Sequence, residues 1–453
     1  MSKDEIIKTL TALVQKQQEQ IASLLIRVEN LEQELALYKK RKNSGNSHIP
    51  PSVDLGKPKR NQSLRESSGK KPGGQDGHQG STLEFLAMAD QIIDHTPDYC
   101  NRCGLGLEDV LAMALERRQV IDIPMPKTLC TEHRTFAKTC SCGHTTQGKF
   151  PASLPCKVQY GAGIEAMTAY LNVRQYMPYN RIEEFYRQTA GLQISQGGIV
   201  NILKRFTKKA LPVYLEIKNR VEKATCLGSD ETGAKVNGKR HWFWTWQNEK
   251  LTFIAHSPSR GFKTIQEIFP QGLPNAVLVH DRWAAHFQCL AYDHQICLAH
   301  LFRDLNYIHQ VHLSDWAISL KNLFKKAIRL HHSPHYDAAL PSGSRTSLVQ
   351  ELQLLLQTAL PEKDKLAITL QKKLRKINQH ILCFLHHNYV PPDNNGSERA
   401  IRNVKVKQKI SGGFRSIEGA DGFAVLRSVI DTTIKSGQEV FYALSLIALA
   451  NTE

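Results

Sequence analysis

The chain has 453 residues, enough for roughly three domains of about 150 residues each. With 59 Lys and Arg against 42 acidic residues it carries a formal charge of +17, an excess that favours a polyanionic partner, nucleic acid or an anionic membrane surface. The membrane option is poor: the N-terminus has no apolar signal core, and the apolar run VFYALSLIALA is too short to span a bilayer, so a soluble, cytoplasmic protein is expected.

Residues 1–40 place Leu10, Val14, Gln17, Ile21, Leu24, Val28, Leu31, Leu35 and Tyr38 at alternating spacings of four and three. That is a coiled-coil seam with one polar interruption at Gln17, and it predicts a homo-oligomer. Residues 41–85 are basic, rich in Gly, Pro, Ser and Asn and poor in apolar side chains, the composition of a flexible linker able to lie along phosphates.

Residues 86–156 hold YCNRCG and CSCG. The spacing of Cys100, Cys103, Cys140 and Cys142 suits a structural zinc ribbon closed by four thiolates, although the C-x-C half is unusual for a knuckle. The other six cysteines are scattered, and most read as small core residues. Residues 157–222 predict helices: one ending at Gly191, then a second capped by Ser195, with Ile199, Ile202, Leu203 and Phe206 facing inward. The short break and the flanking Lys204 and Arg205 give a helix-turn-helix-like pair, a DNA-binding candidate.

Residues 223–304 read as strand, hairpin, strand, turn, strand, with Asn237-Gly238 as the two-residue hairpin turn. After a helix comes NAVLVHD, a continuously apolar run suited to a buried parallel strand and ending in Asp281. A parallel strand beside a three-strand antiparallel meander is the order of a ribonuclease-H-like core, in which Asp230 and Asp281 would stand on neighbouring strands. Residues 305–390 form a helical insertion, predicted from LSDWAISLKNLFKKAIRL, SLVQELQLLLQTAL and KLAITLQKKLRKINQHILCFLHH. Residues 391–435 return to the core and 436–453 add a C-terminal helix. The fold class is therefore multidomain α+β or α/β.

In the return segment, PPDNNGSERAIRNVKVKQKISGGF, one carboxylate sits among many cations. If helical from Glu398, positions 398, 402, 405 and 409 share a face. A local role for Glu398 is a capping box, with Asn395 as cap and Glu398 reaching back to it.

Several motifs in order carry a resemblance: the N-terminal coiled coil, KPGGQDGHQG (71–80), the cysteine pairs, SDETG (229–233), CLAHLFRDL (297–305), DNNGSERAIR (393–402) and GGFRS (412–416). The chain resembles the transposases of IS66-family insertion sequences, which belong to the DDE class. The resemblance implies a DNA transposase that cleaves phosphodiesters at element ends and transfers the freed strand into target DNA. It puts Asp230, Asp281 and Glu398 on the catalytic triad. One departure is Arg282-Trp283 and His286, where Gly-Tyr and a later Tyr are more usual. Three carboxylates and one phosphate balance two divalent ions, Mg²⁺ or Mn²⁺, set about 3.5–4 Å apart.

Arg402, Lys405, Lys409 and Arg415 then become the expected phosphate contacts, Arg402 foremost because a guanidinium can bind a phosphate through two donors. His300 and Arg303 follow Cys297 at three-residue intervals and are read as structural or substrate-orienting residues. The resemblance also implies a bacterial, nucleoid-associated setting and short accessory proteins of the same element as possible partners. The rival expectation is a catalytically silent DNA-binding and oligomerising regulator derived from a transposase.

Overall fold

The computed structural model describes residues 3–39, 77, 83–123, 126–340 and 342–450. The basic stretch expected at 41–85 lies outside the described residues except at 77 and 83–85, and KPGGQDGHQG does so except at Gly77. Helix α1 (Lys3–Lys39) is unbroken, as a run rich in Leu, Gln, Glu and Lys without Gly or Pro should be. Its seam residues Leu10, Val14, Ile21, Leu24, Val28 and Leu31 are between 51% and 60% exposed, so the stripe is bare on this single chain. Further on, β1 (Ala137–Thr139) and β2 (Thr145–Gln147) make a small antiparallel hairpin.

Helix α2 (Ala162–Ala169) runs into one wider turn at Tyr170–Arg174 and is followed by α3 (Tyr179–Ala190) and α4 (Gln196–Glu222). The expected stop and start are observed: Gly191 adopts φ +61°, and Ser195 Oγ accepts the Gly198 N–H at 3.1 Å. Ile199 and Ile202 close a small core with Leu171, Ile182, Tyr186 and Ile194. Yet α4 is 27 residues long, and its later positions Ala210, Ile217 and Val221 enter the core of the sheet. The second helix of the pair is thus also a supporting beam of the next domain, which simple helix-pair spacing does not reveal.

The sheet has the order β5-β4-β3-β6-β7. Strands β3 (Cys226–Val236), β4 (Lys239–Gln247) and β5 (Thr252–Ser257) are an antiparallel meander turned at Asn237-Gly238. After α5 (Phe262–Ile268), β6 (Leu273–His280) lies parallel to β3; after the short α6 (Ala284–Phe287), β7 (Ala291–Ile296) lies parallel to β6. Strand β6 is buried on both faces: Ala276 and Leu278 enter one core, Val277 and Val279 the other.

Strand β7 escapes sequence patterning because it is polar. Its buried Gln295 donates to the carbonyls of Ile296 and Ile381, at 2.7 and 3.0 Å, and accepts the Phe384 N–H at 2.7 Å. Those contacts also explain a correction to the insertion. Helices α7 (Leu298–His312), α8 (Asp315–His331) and α9 (Gly343–Gln357) match expectation, but α10 (Lys365–Lys376) stops well before residue 387. Beyond it lie tight turns at Asn378–His380 and Cys383–His386, whose backbone groups pair with Gln295 rather than with a continuing helix.

Helix α11 (Asn395–Ser411) lies against β3 and β4, while α12 (Ile417–Lys435) packs on α4 and β5 and α13 (Val440–Leu449) on α2. The chain is a mixed α/β protein with a mixed sheet. No helix among the described residues is long and apolar enough to cross a membrane.

Candidate active site

Register alone sets the first two acids side by side. Gly228 of β3 pairs with Val279 of β6, so two residues further along each chain stand Asp230 and Asp281. Asp230 falls where β3 loses its β6 partner, and Asp281 is the first residue beyond β6. Glu398 arrives from the first turn of α11, whose N-terminus is fastened to β3. Asn394 Nδ2 donates to the Ser229 carbonyl at 2.6 Å, the Ser397 hydroxyl donates to Asn394 Oδ1 at 2.6 Å, and the Asn394 N–H meets the buried Cys297 thiol at 3.1 Å. This approach requires bare backbone on both sides. A Cβ on Gly228 would collide with Asn394, Ser397 and Gln247, and one on Gly396 with Gln247.

The capping expectation is corrected by the same contacts. The cap residue is Asn394, one earlier than expected, and its side chain joins the Ser229 carbonyl of the sheet to the Ser397 hydroxyl of the helix without accepting a helix backbone N–H. Glu398 does not reach back. Its Oε1 is buried without a hydrogen-bond partner, with His300 Nε2 at 3.7 Å and Arg303 at 3.6 Å. His300 and Arg303 therefore flank a carboxylate, each leaning on Glu398 from α7.

The electrostatics of the cluster are uneven. Asp230 keeps an opening to solvent but is densely surrounded; burial, then the charges of Glu231, Asp281 and Glu398, push its carboxyl well above the usual range. For Asp281 burial also acts upward, yet the nearby His286 imidazole, the Trp283 N–H at 2.8 Å and the charge of His300 outweigh it, and the net shift is downward. Oxygen-rich donors of this kind suit Mg²⁺ or Mn²⁺. A raised Asp230 and an unbonded Glu398 oxygen are features that suit the binding of cations. The set fits the ions that the sequence implied, and His280, Asp281 and His286 also bring donor atoms within 4.8 Å of one another.

This asymmetry predicts opposite effects of two similar substitutions in metal-free protein. A raised pKa means that Asp230 contributes stability below the ordinary carboxylate range and loses it as pH rises through its shifted value. A lowered pKa means that Asp281 contributes above that range and loses it as pH falls. Asp230→Asn should therefore raise, and Asp281→Asn lower, the melting temperature in EDTA at pH 7, each by about 1 °C, the shift that about 1 kcal/mol gives in a protein of this size. Shifts of the same sign would contradict the charge arrangement.

Two residues of the site were not visible in sequence. His286 is fully buried, with Nδ1 3.7 Å from Asp281 and Nε2 3.7 Å from Glu231. Glu231 is buried too and is held by Arg260, whose guanidinium lies 4.8 Å from the Trp242 ring and 3.8 Å from that of Trp283. The departure from the usual pattern at 282–286 was the one available signal. It marks where an imidazole bridges two carboxylates.

The basic residues separate. Arg402, Lys409 and Arg415 are exposed, whereas Lys405 is half-buried and donates to the Gly233 carbonyl of β3. The four cysteines form two pairs. The backbone groups of Arg102 and Cys103 lower the pKa of the Cys100 thiol, and those of Cys142, with the Ser141 hydroxyl, lower that of Cys140. Gly104 and Gly143, at φ +73° and +84°, allow these tight turns. Among the described residues the two pairs are not gathered into one set of donors.

A family model described as the IS66 family of transposases matches residues 157–422, more than half of the chain. A search of curated proteins found no match.

Proposed function

The chain belongs to the IS66 family of transposases, and from that premise we propose that it is a DDE enzyme that cleaves DNA at the ends of an insertion sequence and joins them to target DNA. The observation that carries this reading is the meeting of Asp230, Asp281 and Glu398 from two strands and a distant helix, with a buried Glu398 oxygen that no hydrogen bond satisfies. The sheet order, an antiparallel meander extended by two parallel strands, supports a ribonuclease-H-like core interrupted by the helices of 305–390.

In this reading Asp230, Asp281 and Glu398 hold two divalent ions. Bound there, such ions supply Lewis-acid polarisation of the scissile phosphate and neutralise charge at the attacking and leaving oxygens. The protein's own part is to fix the carboxylates beforehand. His286 holds Asp281 ionised and oriented. Arg303 and His300 keep Glu398 facing the cluster, and Asn394 fixes the helix that delivers it. The nucleophile is water in cleavage and the freed 3′-hydroxyl in joining.

The test is a Mg²⁺- or Mn²⁺-dependent nicking assay on element-end DNA, followed by transfer into plasmid. Cleavage and joining are expected. A mobility shift without cleavage would indicate a silent DNA-binding regulator, and cutting without joining a nuclease.

Exposed Arg402, Lys409 and Arg415 are the proposed backbone contacts. Replacing any one by Ala should weaken binding to unrelated DNA sequences alike and reduce the salt slope by about one. Lys405→Met should leave the slope unchanged and lower stability instead, because its ammonium serves a strand carbonyl. Equal effects on the slope would refute this division. We further assign the ribbon of 86–156 a structural zinc on Cys100, Cys103, Cys140 and Cys142, the helices of 157–222 a DNA-binding role, and the bare stripe of α1 self-association.

A further inference from the structure

A second group of mixed donors lies on the far edge of the sheet, outside the carboxylate cluster. Asp293 of β7, Cys383 in a tight turn and His387 just after it bring ligand atoms within 4.8 Å of one another. The Cys383 Sγ–Asp293 Oδ2 separation is 3.3 Å. Two ligands on a tetrahedral zinc, with bonds of about 2.0–2.3 Å, stand roughly 3.3–3.7 Å apart, so the pair is already near the required edge. We propose that Asp293, Cys383 and His387 bind one zinc-class cation that staples the end of the helical insertion to the outer strand of the sheet.

The donor set selects the ion. One thiolate, one imidazole and one carboxylate suit a borderline-soft metal such as Zn²⁺ and are poorly matched to Mg²⁺, which prefers oxygen alone. Outer partners are also in place. His380 Nδ1 lies 3.1 Å from Asp293 Oδ1, and the Tyr389 hydroxyl 3.4 Å from His387 Nδ1. Such contacts orient a ligating carboxylate and fix an imidazole. Cys383 is buried, while Asp293 and His387 are half-buried, so solvent has access to a fourth position.

The location gives the ion a purpose. Helix α10 ends at Lys376, and the chain then crosses irregular turns before entering α11, which carries Glu398. Irregular backbone has few hydrogen bonds of its own, and a metal bridging it to β7 would hold the path that sets the start of α11.

The experiment measures zinc per chain in the full-length protein after dialysis, and thermal melting with and without chelator. The background is Cys140→Ser/Cys142→Ser, so that the proposed ribbon contributes no ion. About one zinc per chain is expected in this background and about none after adding Cys383→Ser or His387→Gln. Chelation should lower the melting temperature only where the ion is present. In Co²⁺-loaded protein, Cys383→Ser should remove the sulfur-to-cobalt charge-transfer band. Because Cys383 is buried and serine there would disturb packing, half-exposed His387→Gln decides the matter alone. Unchanged zinc content in a folded His387→Gln protein overturns the proposal, whatever the outcome at the carboxylate cluster.

Discussion

Asp230→Asn, Asp281→Asn and Glu398→Gln should each abolish strand cleavage while DNA affinity stays within about twofold of the parent. Each exchange keeps size and hydrogen-bonding shape: the amide oxygen at 230 still accepts the Glu231 N–H, and that at 281 the Trp283 N–H. What is lost is one negative charge and one anionic ligand at a point where the remaining carboxylates cannot compensate. The fall in rate should be at least a hundredfold, since outer partners of metal ligands alone are worth about 10–100-fold. Affinity is retained because phosphate contacts on exposed cations supply most of it. Near-parental nicking by any one of the three purified variants would remove the basis of the catalytic assignment.

The second large effect falls on stability. Arg427 is only 2% exposed; it pairs with Asp431, donates to the Val173 carbonyl at 3.4 Å, and lies 5.6 Å from the ring of Tyr176. Asp431 also accepts from Asn403 of α11 at 3.3 Å, and Asn403 accepts the Tyr176 hydroxyl at 2.6 Å. Tyr176 holds φ +58°, uncommon for a bulky residue, so the network maintains a strained bend between the helical domain and the core. Asp431→Ala leaves the guanidinium buried without its counter-charge and should cost about 3–5 kcal/mol. Adding Arg427→Met should recover much of the loss, because apolar replacement of both partners is often nearly neutral. A single variant within about 1 kcal/mol of the parent, measured by urea unfolding, would show that the network is not structural.

Local chemistry was legible in the sequence. The Ser195 cap, the Gly191 stop, the Asn237-Gly238 turn and the apolar run into Asp281 each depend on a few consecutive residues, and the structure has all four. The recognised motif order likewise led to the family that residues 157–422 match. Less legible were features whose partners are remote. Strand β7 is polar because Gln295 serves a carbonyl and an amide almost ninety residues away, so no alternation marks it. Lys405 sits on a basic stripe, and only the packed sheet turns it from solvent to the Gly233 carbonyl.

The sequence by itself placed most regular elements, through nearest-neighbour backbone preference and hydrophobic period, while its resemblance to known motifs pointed to the family and to the three acids worth testing. Only tertiary structure decided that Glu398 faces His300 and Arg303 instead of capping its helix, and that His286 stands between Asp281 and Glu231. A charged side chain takes its direction from the field and free volume of whatever packs against it. For Glu398 those groups come from α7, about a hundred residues earlier in the chain, and no local pattern encodes them.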